Sequence, residues 1–174
     1  RRASFFPECT NPSSPELRME TARPITETQI RLIKPLLRLF TRLHVFLYRM
    51  SGGKLFHSMG GGEVCIVTMR GAKTGLKKDF PLMYVPYKSG IVLVASLAGA
   101  PKHPVWYHNL VRNPELEVTV GRETRKLVAR IASVSEKVEV WPLCCQVYPD
   151  FKLYQSRTTR DIPVFICEPV NGVA

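Results

Sequence analysis

The sequence has no long hydrophobic run. No uncharged apolar stretch in its 174 residues approaches the ~20 residues that a membrane-spanning helix needs. We therefore expect a soluble or peripheral protein. With 45% hydrophobic and 22% charged residues, the chain is also neither wholly disordered nor collagen-like. Its length favours a single domain, which usually spans ~100–200 residues.

Cysteines with metal-binding spacing are also missing. The five cysteines contain no C-x-x-C pair and their number is odd, so we expect neither a zinc site nor a disulfide framework, and a reducing, cytoplasmic setting. Adjacent Cys144 and Cys145 are interpreted as a buried and an exposed thiol on a helix, with a redox pair as the alternative. His103 and His108 are five residues apart, which is the wrong step for a metal pair on one helical face.

Acidic residues are scarce, since 14 Asp and Glu oppose 25 Lys and Arg, for a formal net charge of +11. Nucleic acid, an anionic membrane surface or an anionic ligand would each fit such an excess. Nine of the cations and four of the acids lie in residues 1–50, so the excess is distributed along the chain. Aromatic residues do not interleave with Arg and Lys as in stacking platforms, so we expect no nucleic-acid partner.

Three segments are predicted. Residues 1–25 show no apolar period and are expected to form a disordered tail. Residues 26–51 are predicted to form an amphipathic helix that begins with a capping box at Thr26, and Pro35 is expected to kink or restart it. Residues 52–174 would form the folded domain.

The predicted helix has two interpretations that can coexist. It would cover the folded domain with its apolar face, leaving a solvated basic face. Alternatively it would lie on an anionic membrane, because a cationic face beside a Leu- and Phe-rich face is typical of membrane-surface helices. The second interpretation would place a cytoplasmic protein at the inner face of the cell membrane.

Beyond residue 52 the apolar period becomes that of strands. Strands are predicted at 64–69, 80–87, 91–96, 116–120, 124–131 and 163–167, and helices at 103–111, 135–147 (capped by Ser135) and 148–157. Hairpins, rather than alternating strands and helices, connect most of them. The fold class is therefore α+β, mainly β: a small barrel of about six mostly antiparallel strands with attached helices.

Residues 70–78 form a basic, glycine-rich connection between two predicted strands. Two glycines let the backbone approach an anion, and four cations with Thr74 can donate to phosphate or carboxylate. The spacing is not that of a Walker loop. The alternative is an exposed hairpin with solubilising lysines.

Two further segments carry candidate ligand groups. Small residues at 94–100 end a strand and leave room for a flat ligand, to which Ser96 could donate a hydrogen bond. Tyr148, Phe151 and Tyr154 recur at three-residue steps and lie roughly on one helical face. They form either a core stripe or the wall of a pocket.

Taken in order, these pieces resemble the deazaflavin-dependent nitroreductase family, which uses the 5-deazaflavin coenzyme F-420. The resemblance covers about 100 residues between positions 64 and 169. Its matching segments are 71–75, 95–110, 113–114, 148–154 and 159–164.

The resemblance implies a split β-barrel, similar to the FMN-binding split barrels, with the cofactor in a surface groove. It assigns cofactor binding to Ile66, Val67, Thr68, Ala72, Lys73, Thr74, Gly75, Leu76, Lys77, Val94, Ala95, Ser96, Leu97, Val105, Trp106, Tyr107, His108 and Asn109. It assigns the catalytic acceptor pocket to Ser96, Tyr148, Phe151 and Tyr154. Members commonly carry Tyr where this chain has Phe151, which removes one hydrogen-bond donor.

The expected function is hydride transfer from the reduced deazaflavin to an electron-poor acceptor such as a quinone or a nitroaromatic. Two alternatives remain: an FMN-dependent enzyme on the same barrel, and a non-catalytic, membrane-peripheral protein that binds lipid or another hydrophobic ligand. The expected partner is a small hydrophobic electron acceptor, no metal is expected, and a homodimer is left open.

Overall fold

Eight strands form one antiparallel sheet in the computed structural model, which describes residues 27–59 and 61–170. The strands are β1 Ser58–Met59, β2 Gly62–Arg70, β3 Lys77–Met83, β4 Val85–Tyr87, β5 Gly90–Val94, β6 Glu115–Val120, β7 Glu123–Ile131 and β8 Val164–Pro169. The helices are α1 Glu27–Ser51, α2 Val105–Arg112, α3 Val134–Val147 and α4 Asp150–Ser156. The predicted tail 1–25 and the predicted cap Thr26 lie outside the described residues.

The two edges of the sheet are consecutive in the chain. The strand order is β3-β2-β6-β7-β8-β5-β4, and β1 also pairs with β2. Because β3 ends at Met83 and β4 begins at Val85, only Tyr84 links the two edges, and the sheet curls to bring them together. No ladder joins β3 to β4 in residues 61–170, so the barrel stays open along this seam. The predicted split barrel is confirmed.

Successive side chains of β2 point to opposite faces of the sheet and so belong to two different apolar clusters. Val67 and Met69 point into the barrel, whereas Ile66 packs outside it against Val45 and Tyr48 of α1. A second apolar cluster lies between the outer face of β5 and β8 and the two helices α3 and α4. The last two helices therefore hold the 148–154 segment against the end of β5.

Helix α1 is held on the barrel by its last turns. The buried Tyr48 hydroxyl donates to the Val64 carbonyl at 3.1 Å and accepts the Gly121 N–H at 3.0 Å. Arg49 pairs with Asp79 of β3 at 3.2 Å. None of the four described helices is both long enough and apolar enough to span a bilayer.

Two predicted elements need correction. The predicted strand 80–87 is two strands, because β3 pairs with β2 whereas β4, which begins one residue after it, pairs with β5. The short β1 was not predicted, so the predicted count of about six strands becomes eight.

The predicted helix starts also change. Helix α3 is capped by Ser133 rather than Ser135, because only Ser133 has a Glu three residues later, Glu136, to complete a capping box. Helix α1 runs without a restart through Pro35.

Candidate functional site

The connection between β2 and β3, residues 70–78, is called here the cradle turn. The Gly71 N–H donates to the Leu76 carbonyl at 2.9 Å, and the Gly75 N–H donates to the Gly71 carbonyl at 2.8 Å. Gly75 adopts a φ of 67°, which favours glycine. The Lys73 amide donates to no protein group within the described residues. The turn thus presents exposed backbone donors among cations, an arrangement suited to an anion.

The cations of the cradle turn differ in their partners. The Lys77 ammonium lies 2.9 Å from the Glu117 carboxylate, and this contact lowers the pKa of Glu117. Lys73 and Lys78 have no carboxylate partner in the part of the chain described. Arg70 also has no carboxylate partner among the described residues, but it donates to the Gly75 carbonyl at 3.5 Å, so the charge most open to a ligand belongs to Lys73 and Lys78.

The other residues of the cradle turn that were predicted to bind the cofactor, Ala72, Thr74 and Leu76, differ in their exposure. Leu76 is exposed. Thr74 is also exposed, and its hydroxyl lies so close to Gly71 that a Cβ added there would be 2.8 Å away. Ala72 is half-buried.

Asn109 of α2 lies behind the cradle turn. Its Oδ1 accepts the Ala72 N–H at 2.9 Å, and the residue is only 3% exposed. Its Nδ2 is buried without a hydrogen-bond partner in the described structure. Because buried donors are nearly always satisfied, this amide is suited to a ligand acceptor at the inner side of the turn.

Residues 95–100, which follow β5, are called here the strand-end loop. Leu97 and Ala98 have φ values of 46° and 53°, which non-glycine residues seldom adopt. The half-buried Ser96 hydroxyl has no protein partner among the residues described, so it is free to bond a ligand. The strained backbone and the free hydroxyl mark this loop as a candidate ligand contact.

The Arg160 side chain binds the strand-end loop through several hydrogen bonds. Its guanidinium donates to the carbonyls of Ala95, Ser96 and Ala100 at 3.1, 2.8 and 2.9 Å. It also donates to Nδ1 of His103 at 3.2 Å. Sequence reasoning assigned no role to Arg160, although it lies in the matched segment 159–164.

The residues of α2 that were predicted to bind the cofactor lie on different faces of the helix. Val105 and His108 are exposed, and Trp106 is buried in the barrel core. The Tyr107 ring stacks on His103 with centroids 4.1 Å apart. Only the exposed side of the helix can therefore face a planar ligand.

The aromatic residues 148, 151 and 154 form one cluster. The Tyr148 hydroxyl donates to Asp150 at 3.1 Å and lies 3.0 Å from the Tyr154 hydroxyl. Burial raises the pKa of Tyr148, so its proton is retained at neutral pH. Phe151 is 3% exposed and meets the Tyr148 ring edge-on. Since Tyr148 donates to Asp150, Tyr154 is the donor in the tyrosine pair.

The other predicted cofactor residues are interior. Ile66 and Val67 are fully buried, and β2 is paired with strands on both sides. The Thr68 hydroxyl donates to Asp79 at 2.6 Å. Val94, the last residue of β5, and Ala95, the first residue of the strand-end loop, have buried side chains. Val67 and Ala95 belong to the barrel core, whereas Ile66 and Val94 pack against helices outside it.

A cavity of about 620 Å³ lies elsewhere, between the end of α1 and the β6–β7 turn. Of the predicted residues it includes only Thr68. Two of its lining groups are already paired, Arg49 with Asp79 and Glu117 with Lys77. Its lining does not include the unsatisfied buried donor of Asn109 beside the cradle turn.

Together, the cradle turn, the exposed side of α2 and the strand-end loop form one continuous candidate site. Asn109 of α2 contacts the cradle turn directly. Tyr107 of α2 stacks on His103, which accepts from the same Arg160 guanidinium that binds the strand-end loop. The donor set fits a ligand with an anionic end and a planar end. The tyrosine cluster lies beside the loop, because Gly99 packs against the backbone of Tyr154.

Known proteins resemble this chain in sequence and fold. A family model described as F420H(2)-dependent quinone reductase matches residues 40–169. A protein of Mycobacterium tuberculosis strain H37Rv named as an F420H(2)-dependent quinone reductase is 32% identical over 129 residues, which are 72% of this chain and 87% of the relative.

Two solved structures are also similar to this chain. A structure described as an F420-H2 dependent reductase (FDR-A) shares 40% identity with a TM-score of 0.57, covering 60% of this chain and 93% of that one. A structure described as a domain-swapped dimer shares 31% identity with a TM-score of 0.60, covering 82% of this chain and 100% of that one.

Proposed function

Because the chain belongs to the F420H(2)-dependent quinone reductase family, we propose that its own site moves a hydride from reduced coenzyme F-420 to a quinone. The observation that carries the assignment of residues is the buried, unpartnered Nδ2 of Asn109, placed between a cationic turn and a loop with a free serine hydroxyl. This donor set matches a coenzyme that has an anionic tail at one end and a planar ring at the other.

Each part of the site has its own task in this proposal. When bound, the coenzyme supplies the hydride. Lys73 and the backbone amides of the cradle turn bind the phosphate and glutamyl tail. The exposed side of α2, with Val105 and His108, supports the ring, and Ser96 donates a hydrogen bond to the ring or to the acceptor. These contacts orient the two reactants and exclude water.

The aromatic cluster supplies the proton that quinone reduction requires. A quinone becomes a hydroquinone by gaining one hydride and, overall, one proton. Tyr154 is half-buried, and it would turn its hydroxyl proton from Tyr148 to the quinone oxygen and regain a proton from solvent. Tyr148 stays protonated and bonded to Asp150, which holds the cluster in place. Phe151 gives the pocket an apolar wall.

Titration of the purified full-length chain with coenzyme F-420 and with FMN tests this function. We expect micromolar binding of F-420, followed through its fluorescence, and binding of FMN at least about tenfold weaker, because FMN has no acidic glutamyl tail for Lys73. The reduced coenzyme should then be oxidised by a short-chain quinone, and a nitroaromatic is the comparison acceptor. Absence of F-420 binding at micromolar concentration would contradict the proposal.

An anionic membrane is the second proposed partner, at the exposed face of α1. Leu43, Phe46 and Met50 are 52%, 59% and 72% exposed on this face, beside the exposed Arg42. An apolar strip flanked by cations complements an anionic bilayer, where a hydrophobic quinone also dissolves. A second copy of the chain is the competing occupant, since one 31% identical relative is described as a domain-swapped dimer.

Vesicle flotation distinguishes an anionic membrane from a second copy of the chain as the partner of this face. The full-length chain should float with phosphatidylglycerol vesicles and not with neutral phosphatidylcholine vesicles. Leu43→Ser with Phe46→Ser should abolish flotation, whereas Val111→Ser, at a similarly exposed residue of α2, should not. If the double variant instead converts a dimer to a monomer in light scattering and leaves flotation unchanged, the face binds a second copy.

A further inference from the structure

Arg160 joins both ends of the strand-end loop. One Nη donates to the carbonyls of Ala95 and Ser96, where the loop begins, and Nε donates to Ala100, where it ends. The other Nη donates to His103 just beyond the loop. One guanidinium therefore spans the segment that presents Ser96.

The conformation of the loop needs such support. Leu97 and Ala98 are left-handed, and strained backbone of this kind persists only when its surroundings over-determine it. Two backbone bonds inside the loop, from Gly99 to Ser96 and from Ala100 to Leu97, leave the Ala95 and Ala100 carbonyls to Arg160. Gly99 is pressed so closely on α4 that an added Cβ would lie 2.6 Å from the Tyr154 carbonyl.

Arg160 is itself held rigidly. The Gln155 side chain accepts the Ile162 N–H and donates to the Arg160 carbonyl, both at 2.9 Å. No carboxylate lies within ion-pair distance of Arg160 in residues 61–170. Its donors are therefore committed to the loop and to His103, and burial lowers its pKa in agreement with this enclosed setting.

We propose that Arg160 is a positioning residue for the reaction, holding the strand-end loop in the form that presents Ser96 to the deazaflavin ring. The proposal rests on the proposed function for the identity of the ligand. Lysine cannot replace arginine here, because a single ammonium nitrogen cannot reach the four acceptors that Nε and both Nη of Arg160 reach from separate positions. The conformation of the free loop is thus set before any ligand binds.

Amide hydrogen exchange of the ligand-free protein tests the structural part. In Arg160→Gln and in Arg160→Lys, the amides of residues 97–100 should exchange at least about tenfold faster, while those of the barrel strands keep their rates. The matched control is Arg125→Gln, which removes an exposed arginine that donates to the Ser89 carbonyl of another turn at 3.4 Å. Unchanged exchange in the loop of a folded Arg160 variant would overturn the proposal.

Binding measurements test the functional part. The Kd values of intact coenzyme F-420 and of the tail-less deazaflavin should rise by the same factor in the Arg160 variants, about tenfold, because only the ring end is affected. Arg125→Gln should leave both unchanged. An affinity for the tail-less ring that stays at the wild-type value would overturn the positioning role. If the wild-type protein binds neither ligand, the proposed function fails, while the exchange experiment still decides whether Arg160 holds the loop.

Discussion

The carboxamide oxygen of Asn109 lies 2.9 Å from the backbone nitrogen of Ala72, 37 residues earlier, and accepts its hydrogen bond. This contact fixes the cradle turn against α2. The same helix is linked to the strand-end loop indirectly, because Tyr107 stacks on His103 and Arg160 donates both to His103 and to the loop. One short helix therefore sets the distance between the anionic end and the planar end of the site.

The first prediction separates the two functions of the Asn109 carboxamide. Asn109→Leu removes the acceptor of the Ala72 N–H and should lower the free energy of unfolding by about 1–3 kcal/mol. Asn109→Asp keeps an acceptor but replaces the unpartnered donor with a negative charge, so the affinity for coenzyme F-420 should fall at least about tenfold. Urea unfolding and fluorescence titration measure the two effects. Wild-type affinity in a folded Asp variant would refute a ligand contact by Nδ2.

The second prediction concerns the unequal lysines of the cradle turn. Lys73→Gln should weaken binding of intact F-420 by about fivefold to tenfold, because it removes an unpaired cation. Glu117→Gln should strengthen that binding several-fold, because it releases Lys77 from its ion pair. Neither change should alter the affinity for the tail-less deazaflavin, which serves as the internal control. An equal loss for both ligands would place the anionic tail elsewhere.

The third prediction tests Tyr154 as the proton donor. Tyr154→Phe should lower kcat with a quinone by about a hundredfold, the usual lower range for loss of a general acid, and leave the Kd of the coenzyme unchanged. Tyr148→Phe should cost less, because the Tyr154 hydroxyl would remain. Steady-state kinetics with separately measured coenzyme binding give both values. A larger kcat loss in the Tyr148 variant would assign the donor to Tyr148.

The fourth prediction is a pH dependence of the strand-end loop. Burial, helped by the charge of Arg160 and by His108, lowers the pKa of His103 below its usual 6.5. The unfolded state therefore binds more protons than the folded state in this window. The contribution of neutral His103 to stability is complete above pH 6.5 and is lost as the pH falls through the lower, folded value. Protonation also removes the acceptor for Arg160.

Affinity for tail-less deazaflavin, measured from pH 5 to pH 8, checks this dependence. We expect the affinity of the wild-type protein to fall at acid pH. The affinity of His103→Gln should change less with pH, because its amide oxygen accepts from Arg160 without titrating. The same acid loss in both proteins would assign the dependence to another group.

The fifth prediction concerns the attachment of α1. Tyr48→Phe leaves the Val64 carbonyl and the Gly121 N–H without the hydroxyl and should cost about 1–3 kcal/mol of unfolding free energy. Tyr87→Phe is the matched control, because its hydroxyl bonds Glu139 at the surface and should cost less than about 0.5 kcal/mol. Urea denaturation gives both values, and equal losses would show that the Tyr48 hydroxyl does not hold the helix.

Local signals were sufficient where neighbouring residues decide the structure. The hairpin around Gly121 was predicted from its turn residues, and the structure pairs Val120 with Glu123 there. The cap of α3 has an equally local signal, but it was predicted at Ser135 rather than at Ser133, two residues earlier. Glu136 decides between them, because it can bond back only to Ser133.

Contacts between distant residues were not predicted. Arg160 contacts carbonyls 60 to 65 residues away, and nothing local in its segment names those partners. Lys77 was assigned to the anion, yet the register places it beside Glu117 of β6. The alternation of a strand shows which face a residue occupies, but not which residue of another strand lies next to it.

The sequence by itself determined the strand periods, the hairpin order and the ordered motifs that identify the family. Only the tertiary structure decided which cradle lysines lack an ion pair, that Asn109 holds a buried donor beside the turn, and that Arg160 supports the strand-end loop. The physical reason is that the first set depends on dihedral preferences and hydrophobic spacing over a few residues. The second set depends on how the curled sheet brings α2, β6 and residues 158–162 together across the barrel.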